Sequence, residues 1–264
     1  MPLLRNADKS KISKRKNPTS LLWYKENGYL PEALVNFLAL MGYSSPDGEE
    51  VFSLARMLAE FDTRRMKTSS PIFDLEKLGW LNGEHLRALS EEELAEHLLA
   101  HLAYRRERGI EPNPETDGPL YAWIDAHGGL ESAEVKAFLL ETMPLVQTRI
   151  KTLEEYAPLT RCFFREDVTG YDPEMLVPKK RTMSDVKALL GTVVERLDGL
   201  DEWTTGSVEA ALRALVDETG WKPRELFQPV RVAVTGSRIS PPLFESMALI
   251  GRDESLQRLR QATA

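Results

Sequence analysis

The sequence has one cysteine, Cys162, in 264 residues. A lone thiol cannot close an internal disulfide, which excludes a disulfide-stapled fold and fits a reducing, cytoplasmic setting. No apolar run approaches the roughly 20 residues that a membrane-spanning helix needs. The first residues are polar and basic with no apolar stretch behind them, unlike a secretory leader. There is no Gly-x-Ser-x-Gly elbow and no glycine-rich loop ending in Gly-Lys-Ser/Thr, so an elbow nucleophile and a P-loop are both excluded. Histidine is scarce: His85, His97, His101 and His127 are the four. His97 and His101 stand four apart on a predicted helix, a spacing compatible with a metal pair. The nearby Glu96 precedes the pair instead of following its first member, no third ligand is evident, and no metal is assigned. Cys162 reads as a small buried hydrophobe, since nothing near it in sequence would lower its pKa.

What is present is an ordinary globular composition, 42% hydrophobic and 28% charged, long enough for one or two domains with a sizeable core. The net charge of -7 does not point to nucleic acid. Its distribution matters more than its sum. Between residues 5 and 16, Arg5, Lys9, Lys11, Lys14, Arg15 and Lys16 face only Asp8. On composition alone this is a solvated terminus.

Helical periodicity runs through almost the whole chain. Pro31 starts a helix carrying Ala33, Leu34, Phe37, Leu38 and Met41, apolar nearly all round and so expected in the core, with Gly42 as its stop. Val51, Leu54, Ala55, Leu58 and Phe61 share one face of the next. Asp74 caps a short helix to about Leu81, broken at Asn82-Gly83. Ser90 and Glu93 have capping-box spacing ahead of Leu94, Leu98 and Leu102, and Gly109 lies beyond that stripe. Residues 109–119 read as a loop. Ser132 caps a helix that Pro144 separates from a second bearing Val146, Ile150 and Leu153. Residues 165–183 are irregular. Ser184 and Ser207 are expected to cap the helices of Val186–Leu197 and Val208–Val216, and Pro241-Pro242 begins another. One segment dissents: Val230, Val232 and Val234 alternate as in a strand, although no second strand is available to pair with it.

Lys11-Ile12-Ser13-Lys14-Arg15 is similar to the Lys-Met-Ser-Lys-Ser loop of class I aminoacyl-tRNA synthetases, in the form common to the glutamyl branch. Lysine ammonium groups and a serine suit a polyphosphate clamp. The flanks extend the match. Gly28-Tyr29-Leu30-Pro31-Glu32-Ala33-Leu34 follows it, then Phe73-Asp74-Leu75-Glu76-Lys77-Leu78 with Trp80-Leu81-Asn82-Gly83. Near the other end come Arg231-Val232-Ala233-Val234-Thr235-Gly236 and Ser240-Pro241-Pro242-Leu243-Phe244. In this order they resemble the C-terminal part of a bacterial-type glutamyl-tRNA synthetase, while residues 105–185 are less distinctive. The family's His-x-Gly-His motif is missing from the sequence.

The resemblance implies an all-α fold: an ATP-site loop (1–20), a helical stem-contact bundle (21–108) and an anticodon-binding helical cage in two parts (109–180 and 181–264). It implies a monomeric partner of tRNA(Glu), with glutamate, ATP and Mg²⁺ used only together with a catalytic domain. Lys11, Ser13, Lys14 and Arg15 would meet ATP phosphates. Arg149 resembles a family arginine at the anticodon end; an exposed arginine in an ion pair is its other reading. Lys77 and Asn82 fall in the most family-specific stretch and are candidate tRNA contacts. Lys179, Lys180 and Arg181 are candidate phosphate contacts, or else a solvated loop. The resemblance also turns the Val230–Val234 segment into a helix from about Pro223 to Val234, ending at Gly236, with Arg224 and Arg231 toward RNA or solvent. A standalone helical tRNA-binding or scaffold protein without ATP chemistry remains the other functional reading.

Overall fold

The computed structural model describes residues 4–6, 8, 10, 12, 20–66, 71–165 and 167–263. Among them the fold is all-α, and an isolated parallel bridge joins Arg5 and Ile72. The helices, in chain order, are α1 (Leu21–Glu26), α2 (Pro31–Gly42), α3 (Leu54–Glu60), α4 (Leu75–Ala88), α5 (Glu91–Glu107), α6 (Gly118–Ala126) and α7 (Ala133–Val146). They continue with α8 (Tyr156–Thr160), α9 (Met183–Asp198), α10 (Thr205–Thr219), α11 (Pro223–Thr235), α12 (Leu243–Ile250) and α13 (Arg252–Thr263). None of the described helices is long and apolar enough to cross a membrane. Packing divides the chain into two compact units, Met1–Glu111 with His127–Tyr156, and Pro112–Ala126 with Ala157–Ala264. These packing units are not the functional segments drawn at 109 and 181, which stay a proposal.

In the first unit, Pro31 opens α2, where its missing N–H costs nothing. Ala33, Asn36 and Phe37 bury, while Val35 and Leu38 stay exposed. The helix is therefore buried on one side, not all round as its composition implied. The next stripe also fails as core. Leu54 and Leu58 are exposed and Phe52 is buried instead, because α3 starts only after Ser53, whose Oγ accepts from the Arg56 N–H.

Asp74 caps α4 as expected, accepting from the N–H groups of Glu76 and Lys77. The helix does not break at Asn82-Gly83 but runs on to Ala88. Asn82 spends its amide on distant backbone and so does not compete with the helix's own hydrogen bonds. The capping box of Ser90 and Glu93 forms, and α5 closes before Gly109 at φ +63°. Pro144 does not separate two helices. It lies inside α7, exposed, while Val135, Leu139, Thr142, Met143 and Val146 bury in series. Their burial outweighs the one backbone hydrogen bond a helical proline forfeits.

The core of the second unit is formed by α9 to α13, with Leu190, Val193, Leu212, Leu226, Val230 and Met247 at its centre. The caps lie earlier than expected. Thr182 pairs with Asp185 ahead of α9, and Thr204 with Ser207 ahead of α10. Ser184 and Ser207 are inside the helices, because a threonine three residues before a hydrogen-bonding side chain completes a reciprocal box. Helix α6 begins at the end of the loop of residues 109–119 and was not foreseen. The carbonyl of Asn113 gathers the N–H groups of Thr116, Asp117 and Gly118 and launches it.

The segment with alternating valines is α11, ending at Gly236 in the left-handed region at φ +69°. Val230, Val232 and Val234 are all fully buried. A helix in the middle of a core buries more than one face, which is how its sequence can look like a strand.

Candidate functional site

Lys11, Ser13, Lys14 and Arg15 lie outside the described residues. Among the described residues no group of three or more His, Cys, Asp or Glu side chains could hold a metal ion.

The first unit carries Lys77, Asn82 and Arg149. Asn82 is fully buried in α4. Its Oδ1 accepts from the Leu30 N–H at 2.8 Å and its Nδ2 donates to the Lys151 carbonyl at 2.5 Å. Both ends of the amide are used by the fold, so Asn82 is not presented to a ligand, and the structure corrects its place among the tRNA contacts. Lys77, half-buried, pairs through Nζ with Glu50 at 2.5 Å. Arg149 is exposed on the turn that follows α7. That turn is pinned on both sides. Gln147 donates to the carbonyls of Leu86 and Leu89 at 3.0 and 2.7 Å, and the Lys151 carbonyl is held by Asn82. The backbone that carries Arg149 is thus fixed against the end of α4, which leaves the side chain alone to be ordered on binding.

The second unit carries Lys179, Lys180 and Arg181 on the connection into α9. Lys179 and Lys180 are exposed. Lys180 is the described non-glycine residue with positive φ, at 69°, a sparsely populated conformation that a fixed turn must hold. Arg181 turns inward. It pairs with Glu225 at 2.9 Å and its guanidinium lies 3.9 Å from the centroid of the Trp221 ring. The hydrogen bond from Arg181 holds the Glu225 carboxyl below the usual range. Lys179, Arg224 and Arg238 line a cleft of about 360 Å³ together with Glu225 and Gln228. With the Glu225 charge engaged by Arg181, the mouth of this cleft is cationic, which suits a phosphate.

Arg231 does not face RNA or solvent as an open group. Its Nη1 donates to Ser240 Oγ and to the Pro241 carbonyl at 2.8 Å, closing the turn ahead of α12. Arg258 was missed in the sequence. It is almost fully buried and donates to the carbonyls of Cys162, Val234 and Arg165 while pairing with Glu254. An arginine amid the leucines of a terminal helix gives no signal of this, because its partners are backbone groups distant in sequence. Beneath it, burial pushes the Cys162 thiol up to about 12, which leaves it a thiol at neutral pH, as its sequence context implied.

Residues 93–263 match the family model described as the anticodon binding domain. The chain belongs to that family. Residues 1–80, which include the Lys11–Arg15 loop, α1–α3 and the start of α4, match the model for the catalytic domain of class I tRNA synthetases (E and Q). The glutamate–tRNA ligase of Acidothermus cellulolyticus is 49% identical over 267 residues, which cover 100% of this chain and 49% of that protein. A glutamate–tRNA ligase of Thermus thermophilus is 41% identical over 265 residues, covering 100% of this chain and 50% of its own. The chain thus spans about half the length of the curated relatives it matches. Among solved structures, a glutamate tRNA ligase from Elizabethkingia meningosepticum shares the fold with a TM-score of 0.73 at 21% identity, over 99% of this chain and 50% of that one. Homology to glutamate–tRNA ligases over the whole chain, with an anticodon-binding domain, bears out the resemblance drawn from the sequence.

Proposed function

We propose that this chain is the tRNA-binding and anticodon-reading portion of a glutamate–tRNA ligase, which joins glutamate to tRNA(Glu) at the expense of ATP with Mg²⁺. The carrying observation is the match of residues 93–263 to the anticodon-binding family, and the cationic cleft of Lys179, Arg224 and Arg238 supports it. In this reading the exposed Lys179 and Lys180 meet backbone phosphates, which position an RNA without reading it. Arg149 meets an unpaired base, where a planar guanidinium can stack and bond an edge at once. Arg181 sets the shape of the phosphate cleft through Glu225, and Lys77 reaches RNA only by exchanging Glu50. Lys11, Ser13, Lys14 and Arg15 clamp the ATP polyphosphate when the remaining catalytic half is present. The protein works as a cytoplasmic monomer.

The test is filter binding of tRNA(Glu) to the chain, alongside ATP–pyrophosphate exchange with glutamate. The chain is expected to bind tRNA(Glu) more tightly than an unrelated tRNA and to show no exchange, since it carries no His-x-Gly-His motif. Arg149→Ala is expected to reduce discrimination between the tRNAs more than it reduces affinity. Equal binding of all tRNAs by the unaltered chain would overturn anticodon reading, and robust exchange would overturn the division of labour.

A further inference from the structure

A cleft of about 460 Å³ opens in the first unit and belongs to none of the residues assigned above. Its walls include Tyr24, Tyr29, Leu34, His97, Tyr104 and Leu153. The volume lies within the roughly 300–1,000 Å³ of small-molecule pockets, and aromatic and aliphatic walls with few polar groups are their usual construction.

Three observations point to an occupant. The first is His97. It is half-buried in the cleft and makes no hydrogen bond or ion pair among the described residues. His101, one turn later, differs: its Nε2 meets Glu154 Oε1 at 2.8 Å. An imidazole at a mostly apolar wall thus keeps both ring nitrogens unused. The second is Tyr104. The exposed Lys25 side chain places its Nζ 4.0 Å from the ring centroid. The cover over that face is thus an exposed, flexible side chain, which can leave. The Tyr104 hydroxyl is shielded and has no hydrogen-bond partner among the described residues, so its hydrogen-bonding capacity is also unspent. The third is that the floor is preformed. Gly28, at φ +71°, packs so closely that a Cβ would meet the backbone nitrogens of Leu153 and Glu154 at 2.7 Å, and the Leu153 N–H donates to the Gly28 carbonyl at 3.0 Å.

Lys25 and Glu32 bring one charge of each sign to the lining, which favours a neutral guest over an ion. We propose that this cleft binds a single unstacked heteroaromatic ring, a nucleobase in chemical class, packed among the tyrosine rings with its polar edge toward His97. Rings of this kind bind aromatic walls through their π faces whatever their identity, and an imidazole supplies an edge hydrogen bond. The ring comes from a free nucleoside or from an unpaired base of a bound RNA. The second source rests on the proposed tRNA binding and the first does not.

Adenosine and cytidine, titrated into the 264-residue chain, are the probes, and the NMR signal of the His97 ring proton is the readout. Both are expected to shift that signal saturably. Ala100→Trp, which fills the cleft from an exposed position on α5, is expected to weaken binding at least tenfold with an unchanged circular dichroism spectrum. His97→Ala is expected to weaken it several-fold. If the guest is an RNA base, Ala100→Trp also lowers affinity for tRNA(Glu) about tenfold. If tRNA affinity is unchanged while nucleoside binding is lost, the site serves a free molecule. Failure of the unaltered chain to bind tRNA would remove the proposed function and leave the nucleoside result standing. The inference is overturned by no saturable shift in the unaltered chain, by a shift that persists in Ala100→Trp, or by displacement with spermidine but not with nucleosides.

Discussion

Asn82 shows how a conspicuous residue can carry architecture. Its amide replaces water for the buried Leu30 N–H ahead of α2 and holds the part-buried Lys151 carbonyl beside the Arg149 turn. An unsatisfied buried polar group costs about 1–3 kcal/mol. Asn82→Ala orphans the buried Leu30 N–H and frees the part-buried Lys151 carbonyl, so we expect a loss of about 1–3 kcal/mol in urea unfolding. Asn82→Asp keeps the acceptor for Leu30 and turns the donor for Lys151 into a repelling oxygen, and should also destabilise. A stability loss below about 0.5 kcal/mol for the alanine variant would return Asn82 to the list of ligand contacts. In sequence the residue could not be separated from a helix-breaking Asn-Gly pair, because the feature that decides it, two partners 52 and 69 residues away, is not local.

Elements were legible in the sequence where apolar period and cap agreed. Helix α5, with Ser90 and Glu93 ahead of its leucine stripe, is the clear case. Helix α11 was recovered against its local alternation because the family resemblance implied a helix there, and the lack of a second strand to pair with it agreed. Two of the elements misread share a cause: tertiary burial carried α4 through Asn82-Gly83 and α7 through Pro144. Glycines at helix ends allow a test of which part of the fit matters. Gly220 and Gly236 end α10 and α11 with the same φ of +69°, but a Cβ on Gly220 meets nothing within 4 Å, while one on Gly236 meets the Val168 carbonyl oxygen at 2.8 Å. Gly220→Ala should cost about 1 kcal/mol for left-handed backbone alone. Gly236→Ala should cost distinctly more, read as a larger drop in thermal midpoint, and equal drops would show that the loop carrying Val168 yields freely.

The junction of α5 with the segment after Ile150 makes a second test. Burial opposes ionisation of Glu154, but the hydrogen bond from His101 and the charge of Arg105 outweigh it and hold the carboxyl below its usual range. A depressed folded-state pKa means that the network's contribution is complete above the unfolded carboxyl value of about 4.3 and is lost as pH falls through the lower folded value. Glu154→Gln should therefore destabilise at pH 7, by about 1–3 kcal/mol, because the carboxylate charge that His101 and Arg105 both meet is removed. The gap between variant and unaltered protein should narrow at pH 3.5. A gap independent of pH would mean that Glu154 contributes by shape and hydrogen bonding alone.

Taken whole, the chain has a net charge of -7 and is nonetheless proposed to bind a polyanion. The two are compatible because association with RNA depends on where cations stand, not on their sum. Acidic groups engaged by arginines, as Glu225 is by Arg181 and Glu218 by Arg196 at 2.6 Å, present little field of their own. The exposed Lys179 and Lys180 are not offset in this way among the described residues. If they contact phosphates, tRNA affinity must fall steeply with salt despite the negative total, with a log–log slope of roughly -0.7 to -0.9 per phosphate engaged. Replacing both lysines by alanine should flatten that slope by about 1–2 units and weaken all tRNAs alike. Replacing the paired Arg196, on the exposed face of α9, should leave slope and affinity unchanged. Were the slope the same in the double-lysine variant and the unaltered chain, phosphate contact would have to be sought elsewhere, and the cationic cleft would lose its part in the proposed function.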